Sequence, residues 1–449
     1  MKDKAALVKI TEIFANAHRE KSTSLGYPLN QKFDYSLMSQ FLSVHLNNVG
    51  DTFDNASTLI NTHELEREVL NHFGKMWNAK PRIPLTSESF WGYVLSMGAT
   101  EGNMYALWSA REYLYKLKKF EYGLKKNNLD PVVFFSEESH YSIKKCTNIL
   151  GLKTFQEMGN NCYPNMCPIT EDGSWPYAIP VNKYGTIEIE KLSKLVEFFS
   201  ERGHQSIFVF NIGSTFRGAF DNIQDIWGKI SKILEKNGFS IETSKNSTPN
   251  FWMHIDGALG ASYLSYLEMG YQCNISKAHG QVFDFRLPYI NSIVMSFHKW
   301  FGAPFASGIY MSKEKFRIHP DDVEYINSAD STLGGTRNGL SAVLMWYEIN
   351  STPSIMQAKT AADCEKLAEY AYSKMMNIKT KHPSFFVCRA PQSIVVFFSR
   401  PNKKITQQFH LSVKNNLAHI VVMPHVTRSI IDSFIEKMHE KDAFVEEGN

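Results

Sequence analysis

Apolar residues recur every three to four positions over 5–20 (Leu7, Ile10, Ile13, Phe14) and again over 34–48 (Leu37, Phe41, Leu42, with His45 on the same face). That period predicts two amphipathic helices, separated by a turn at Leu25-Gly26-Tyr27-Pro28. Each helix carries an apolar face that needs cover, so the pair is expected to pack on the body of the chain or on a second subunit. The second helix ends in His45-Leu46-Asn47-Asn48-Val49-Gly50-Asp51, a polar loop that either caps it or lines a pocket. A third helix is predicted from about Thr62 to Trp77, capped by Asn61 or Thr62. An apolar segment follows at 90–94, and then Met97-Gly98-Ala99-Thr100-Glu101-Gly102-Asn103 opens a long helix reaching about Lys119.

From residue 132 the pattern changes. Short apolar runs at 132–135, 207–210, 251–255 and 293–295 each stop at a polar cluster. The clusters are Ser136-Glu137-Glu138-Ser139-His140-Tyr141-Ser142, Asn211-Ile212-Gly213-Ser214-Thr215, Asp256-Gly257-Ala258 and Ser296-Phe297-His298-Lys299. Strands that are apolar on both faces and alternate with helices predict an α/β fold, with a mostly parallel sheet covered on both sides. In such a sheet the polar residues just past the strands gather on one edge, where ligands bind. Two stretches break the rhythm, about 156–180 (rich in Asn, Cys and Pro) and about 240–250 (rich in Ser, Thr and Asn), and both read as surface loops or insertions.

After Gly334-Gly335-Thr336-Arg337-Asn338-Gly339 the composition shifts. Residues 340–377 read as helical, with Ala361, Cys364, Ala368, Ala371 and Met375 turned inward. Strands at 385–388 and 394–398, a helix near 403–415, a strand near 419–423 and a helix near 426–438 complete a small α+β unit. The expected division is an N-terminal helical segment (1–60), a large α/β domain (61–338) and a small C-terminal domain (339–449).

Composition narrows the function. A chain of 449 residues, 43% hydrophobic and 21% charged, is an ordinary globular protein with room for a large core. A net charge of +3 without a Lys/Arg stripe argues against a dedicated nucleic-acid binder, and Lys116, Lys118, Lys119, Lys125 and Lys126 read as the solvated end of the long helix. No apolar run approaches the roughly 20 residues of a membrane span, and no apolar segment follows Met1-Lys2-Asp3-Lys4, so a cytoplasmic location is expected. Six scattered cysteines read as reduced thiols. Cys162 and Cys167 have no second pair nearby to complete a metal site, so no metal is expected.

Each chemical candidate has a plain alternative. A lysine after a strand is usually a surface lysine. Asp256 can cap a helix, and Thr100 can cap Asn103. Together the residues describe a site for pyridoxal phosphate. That cofactor needs a lysine amine for a Schiff base, a carboxylate to keep its pyridine nitrogen protonated, a phosphate cradle and a flat partner for its ring. Lys299, Asp256, the 98–103 helix start with its free backbone N–H groups, and His140 supply one of each.

In their order and spacing, Gly98-Ala99-Thr100-Glu101-Gly102-Asn103, Ser139-His140-Tyr141-Ser142, Ile212-Gly213-Ser214-Thr215, His254-Ile255-Asp256-Gly257-Ala258 and Ser296-Phe297-His298-Lys299 resemble the group II pyridoxal-phosphate-dependent amino-acid decarboxylases. Leu25-Gly26-Tyr27-Pro28, Asn47-Asn48-Val49-Gly50-Asp51, Val323-Glu324-Tyr325-Ile326 and Gly335-Thr336-Arg337-Asn338-Gly339 are similar to the branch holding the bacterial histidine and plant serine decarboxylases. The resemblance covers about 23–440. The chain departs from it at Ala99, Ser214 and Phe297, and its extra length near 156–180, near 240–250 and before Ser296 leaves the exact substrate open.

The resemblance implies fold type I with a seven-stranded sheet, and a homodimer with shared active sites. It implies Lys299 as the Schiff-base lysine, Asp256 at the pyridine nitrogen, His140 and Ala258 on the two ring faces, and Thr215 near the ring hydroxyl. It implies Ala99, Thr100, Ser296 and His298 around the phosphate. It also implies a catalytic loop over about 320–336, with Tyr325 protonating the substrate carbon. The expected reaction is decarboxylation of an L-amino acid, foremost histidine to histamine, with serine or an aromatic amino acid as alternatives. Asn47, Asn48, Asp51 and Tyr27 are candidates for the side-chain pocket. A transaminase or lyase, with Arg337 gripping the substrate carboxylate, and an inactive binding protein are the readings from other classes.

Overall fold

A computed structural model describes residues 4–21, 23–54, 60–84, 86–120, 129–241 and 249–444. The first half runs α1 (Lys4–Glu20), a 3-10 turn (Ser36–Ser43), α2 (His63–Met76), β1 (Phe90–Leu95), α3 (Ala99–Phe120), β2 (Leu129–Phe134), α4 (Ser142–Leu150), β3 (Lys153–Thr154), α5 (Phe155–Cys162), α6 (Ile189–Glu201) and β4 (His204–Asn211). Then come α7 (Ile223–Lys236), β5 (Phe251–Asp256), α8 (Gly260–Gln272), β6 (Ser292–Ser296), β7 (Gly308–Lys313), β8 (Asp322–Val323), β9 (Ser328–Ala329), α9 (Gly339–Ser351) and α10 (Ser354–Met376). The chain closes with β10 (Val387–Cys388), β11 (Val395–Ser399), α11 (Lys403–Gln408), β12 (Ser412–Lys414), β13 (Leu417–Val421) and α12 (Arg428–Met438).

Seven strands form one sheet in the order β1-β7-β6-β5-β4-β2-β3. Within it β7 runs antiparallel to both neighbours, while β6, β5, β4, β2 and β3 pair in parallel. Every residue of β1, β4, β5, β6 and β7 is buried, as strands sandwiched between helical layers must be. Register places Asn211 beside Asp256 and Asp256 beside Val294, so β4, β5 and β6 end almost level. A second sheet, β10-β11-β13-β12, is antiparallel throughout.

Several expectations need correction. The second amphipathic helix, at 34–48, is only the 3-10 turn Ser36–Ser43. The stretch at 156–180 is not all surface loop: α5 occupies its start, held by a capping box in which Thr154 and Glu157 bond each other's backbone, and Trp175 and Cys167 are buried, while 164–166 and 171–172 lie exposed. The helical run 340–377 breaks at Thr352-Pro353, because proline cannot continue the ladder of the preceding helix. The helix at 403–415 stops at Gln408, and β12 follows. Strand β7 was not foreseen. Most of the 240–250 stretch, together with Lys125 and Lys126, lies outside the described residues. Helix α1 is present, yet none of its residues is buried; Leu7, Ile10, Ile13 and Phe14 are each more than half exposed. Among the described residues no helix is long and apolar enough to cross a membrane.

Candidate active site

The polar residues past β4, β5 and β6 meet the start of α3 around one cavity of about 230 Å³. Ala99, Thr100, His140, Thr215, Asp256, Ala258, Ser296, His298 and Lys299 all line it. Met97, Asn103, Tyr141, Asn211, Gly213, Ser214 and Ala306 complete its wall.

Lys299 owes its place to the way β6 ends. Past Ser296 the fully buried Phe297 leads into one π-type turn, His298–Gly302. Gly302 has φ +81°, and a Cβ there would come 2.6 Å from the Phe33 ring, so the position requires glycine. Such a wide turn leaves its carbonyls short of partners, and Asn30 supplies them. Its backbone N–H donates to Lys299 O at 2.9 Å, and its Nδ2 donates to Trp300 O at 2.9 Å and to Phe301 O at 3.2 Å. Burial pulls the Lys299 ammonium below its ordinary pKa, against the opposing pull of Asp256.

Asp256, the last residue of β5, is 6% exposed. Its Oδ2 accepts from Asn103 Nδ2 at 2.9 Å and its Oδ1 from the Ala258 N–H at 3.2 Å. Both donors are neutral, and no ion pair within the described residues claims this carboxylate. A buried carboxylate with only neutral donors, facing a cavity, is suited to a cationic ligand group.

His140 opens the way into α4. Its Nδ1 accepts from the Ser142 backbone N–H at 3.3 Å and lies 2.7 Å from Ser142 Oγ, which leaves the proton on Nε2. Burial lowers its pKa, so the ring is neutral. At the first turn of α3 the Ala99 N–H donates to Ser296 Oγ at 3.1 Å. Gly98, at φ +66°, lets the His298 ring approach; a Cβ would stand 2.8 Å from His298 Cε1. A helix N-terminus flanked by two hydroxyls and an imidazole is an anion cradle.

Other expectations fall outside the cavity. Tyr325 sits on the turn Glu324–Ile326, is 83% exposed and is not on the wall. Arg337 is buried in an ion pair with Glu66 and stacks on Tyr93 at 5.4 Å. Asp51 accepts from Trp91 Nε1 and Arg317, and Asn48 donates to Glu66 at 2.8 Å, so that loop builds structure around Arg337. Tyr27 is 54% exposed. Asn103 and His254 were not assigned to the site from the sequence, although His254, two positions before Asp256 on one strand, necessarily shares its face of the sheet.

An amine, an unpaired carboxylate, a neutral flat ring and an anion cradle on one strand edge define a pyridoxal-phosphate enzyme. Residues 25–399 match the pyridoxal-dependent decarboxylase conserved domain, and the chain belongs to that family. It is 30% identical to serine decarboxylase 2 of Oryza sativa subsp. japonica, over 93% of this chain and 74% of the rice protein. It is 29% identical to histidine decarboxylase of Acinetobacter baumannii (strain ACICU), over 92% of this chain and 90% of that one. Among solved structures, L-methionine decarboxylase from Streptomyces sp.590 superposes with a TM-score of 0.88 at 30% identity, covering 98% of this chain and 96% of that one. The fold is therefore fold type I, the cofactor pyridoxal phosphate, and the protein an amino-acid carboxy-lyase.

Proposed function

We propose that the chain decarboxylates L-histidine to histamine and carbon dioxide. The observation that carries the reaction type is the cavity itself: Lys299 and Asp256 face it together, while among the described residues no arginine lies on its wall. A transaminase grips the substrate carboxylate; here the candidate grip, Arg337, is committed to Glu66. Histidine as substrate is supported by likeness to histidine decarboxylases along nearly the whole chain. Serine and methionine are the competing substrates, since relatives bearing those names are equally similar.

When bound, pyridoxal phosphate supplies a protonated conjugated ring that accepts the electrons left as the carboxylate departs. Lys299 Nζ is its attachment point; burial raises the fraction of neutral amine, the form that attacks a carbonyl. Asp256 would accept from the pyridine N–H. His140 and Ala258 would hold the ring between them, and Thr215 would bind its hydroxyl. Ala99, Thr100, Ser296 and His298 would hold the phosphate at the start of α3. Tyr325 remains the proposed proton donor to the substrate carbon, reaching the cavity by movement of the 320–336 segment or from a partner subunit. The chain acts as a cytoplasmic homodimer, with the apolar face of α1 against the partner; light scattering at a dimer mass, lost on Ile10→Asp/Phe14→Asp, checks that assembly.

The test is a panel of amino acids offered to the purified, cofactor-loaded protein. Histidine gives carbon dioxide and histamine, borohydride fixes the cofactor on Lys299, and Lys299→Ala abolishes both. Keto-acid formation overturns the reaction type; faster turnover of serine or methionine overturns the substrate.

A further inference from the structure

Behind Asp256 runs a line of three buried polar side chains. Asp256 Oδ2 accepts from Asn103 Nδ2 at 2.9 Å, and Asn103 Oδ1 lies 2.8 Å from His254 Nε2. His254 Nδ1 in turn lies 2.8 Å from Ser292 Oγ. Asn103 is 1% exposed, and His254 and Ser292 are wholly buried. The fold makes the line compulsory. His254 and Asp256 are two apart on β5, so their side chains leave the same face, and His254 pairs with Ser292 across β5 and β6. Helix α3 packs over both strands and lowers Asn103 between them.

The chemistry of the groups sets the direction of every bond. A carboxylate only accepts, so Asn103 must present its NH₂ to Asp256 and its carbonyl to His254. The His254 proton is then on Nε2, and Nδ1 accepts from the Ser292 hydroxyl. Burial holds His254 at a pKa of about 4, so the ring stays neutral. A charged ring here would set a second cation behind the carboxylate, in competition with the pyridinium.

We propose that Asn103 and His254 are positioning residues that keep Asp256 an ionised, fixed acceptor for the cofactor's pyridinium, through a one-way chain of neutral hydrogen bonds beginning at Ser292. The proposal rests on the reading of Asp256 as the partner of the pyridine nitrogen. His254 touches neither cofactor nor substrate; its work is to lock the Asn103 amide so that an N–H, never a carbonyl, faces the carboxylate.

The affinity of the apoprotein for pyridoxal phosphate, followed by absorbance, and the pH dependence of the bound spectrum are the readouts. His254→Leu removes the bond that fixes the Asn103 amide; with that amide free to turn away, loss of its charge-assisted bond to Asp256 predicts about tenfold weaker binding, with a shifted spectral pH curve. Glutamine can place an N–H where Nε2 stood, so His254→Gln stays within about threefold of the parent. Wild-type binding by His254→Leu, or glutamine as poor as leucine, overturns the chain of bonds. Nitrogen NMR of the unaltered apoprotein adds a measurement independent of any variant's folding: the Nε2–H tautomer is expected, and an Nδ1–H tautomer or an imidazolium refutes the proposal. Asp256→Asn is the separate control. If it binds the cofactor as the parent does, the reading of Asp256 fails; if it fails to bind while His254→Leu binds normally, only the relay falls.

Discussion

Arg337→Met separates two roles for one guanidinium. In the structure Arg337 is 1% exposed and ion-paired with Glu66, itself wholly buried. Its two Nη groups also reach Gly50 O at 3.3 Å, Thr52 Oγ1 at 3.3 Å and Val94 O at 3.4 Å. Glu66 also accepts from the Val94 N–H at 2.8 Å, Asn48 Nδ2 at 2.8 Å and Thr52 Oγ1 at 3.1 Å. Methionine fills most of the volume but leaves the carboxylate without its counter-charge in a dry setting, which costs roughly 3–5 kcal/mol. That is a large part of the roughly 5–15 kcal/mol that holds a typical domain together. Urea unfolding of the apoprotein should therefore show a much lower midpoint. Adding Glu66→Gln, which removes the stranded charge yet keeps an oxygen for the Val94 N–H, should recover at least half of the loss. An unchanged midpoint, with a selectively raised KM for the amino acid, would refute this reasoning and make Arg337 a substrate ligand.

Gly98→Ala forces a side chain onto φ +66° and toward His298, so the phosphate cradle distorts; cofactor affinity should fall about tenfold or more, checked by titration of the apoprotein. A Cβ on Gly159 would overlap the Trp175 ring, and Gly159→Ala should cost about 1–3 kcal/mol by urea unfolding with cofactor affinity retained. Burial lowers the pKa of His63, His72, His140, His254, His298, His419 and His425, so the unfolded chain takes up protons first as pH falls. Stability should thus decline from the ordinary histidine pKa of 6.5 toward about 4, the value for His254. Asp221, pushed up to about 6 by burial, works the other way, so Asp221→Asn should steepen that decline; an acid limb no steeper than the parent's would contradict the assignment.

Strand ends were legible in the sequence because chemistry and periodicity coincide there. An apolar run stopping at Asp256 or Ser296 shows both the strand and its polar edge, and nine of the expected site residues line one cavity. Tyr325 was placed by resemblance alone and stands 83% exposed, away from that cavity. Asn103 and His254 were harder to find, since a buried relay of neutral groups has no distinctive spacing; only the two-residue step from His254 to Asp256 pointed to it. Elsewhere local signals were present and outweighed by composition. Thr154 and Glu157 have capping-box spacing at the entrance to a stretch that reads as loop, and Asn415, at φ +55°, turns the β12–β13 hairpin where a helix was expected. Strand β7 adds an antiparallel member to an otherwise parallel run, and nothing in its sequence tells the direction in which it pairs.

The segment before residue 36 explains how a lysine on a loose-looking turn is held rigid. Leu25 is stitched into the small sheet region, its N–H donating to Phe409 O at 3.1 Å and its O accepting from the Val421 N–H at 2.7 Å. Gly26 O meets His419 Nε2 at 2.9 Å, and the Gln31 N–H donates to His425 Nδ1 at 3.2 Å. Between these ties and the Ser36–Ser43 turn, Asn30 closes over the carbonyls of Lys299, Trp300 and Phe301. The strap therefore carries two loads at once, joining the small sheet to the large one and completing the turn that carries the reactive amine. Unsatisfied buried carbonyls cost about 1–3 kcal/mol each, so a shift of the small sheet that drew Asn30 away would destabilise the turn bearing Lys299. Placement of the amine and docking of the small sheet are in this way one structural event, which is why residues so far apart in sequence as Asn30, Lys299 and Val421 must be read together.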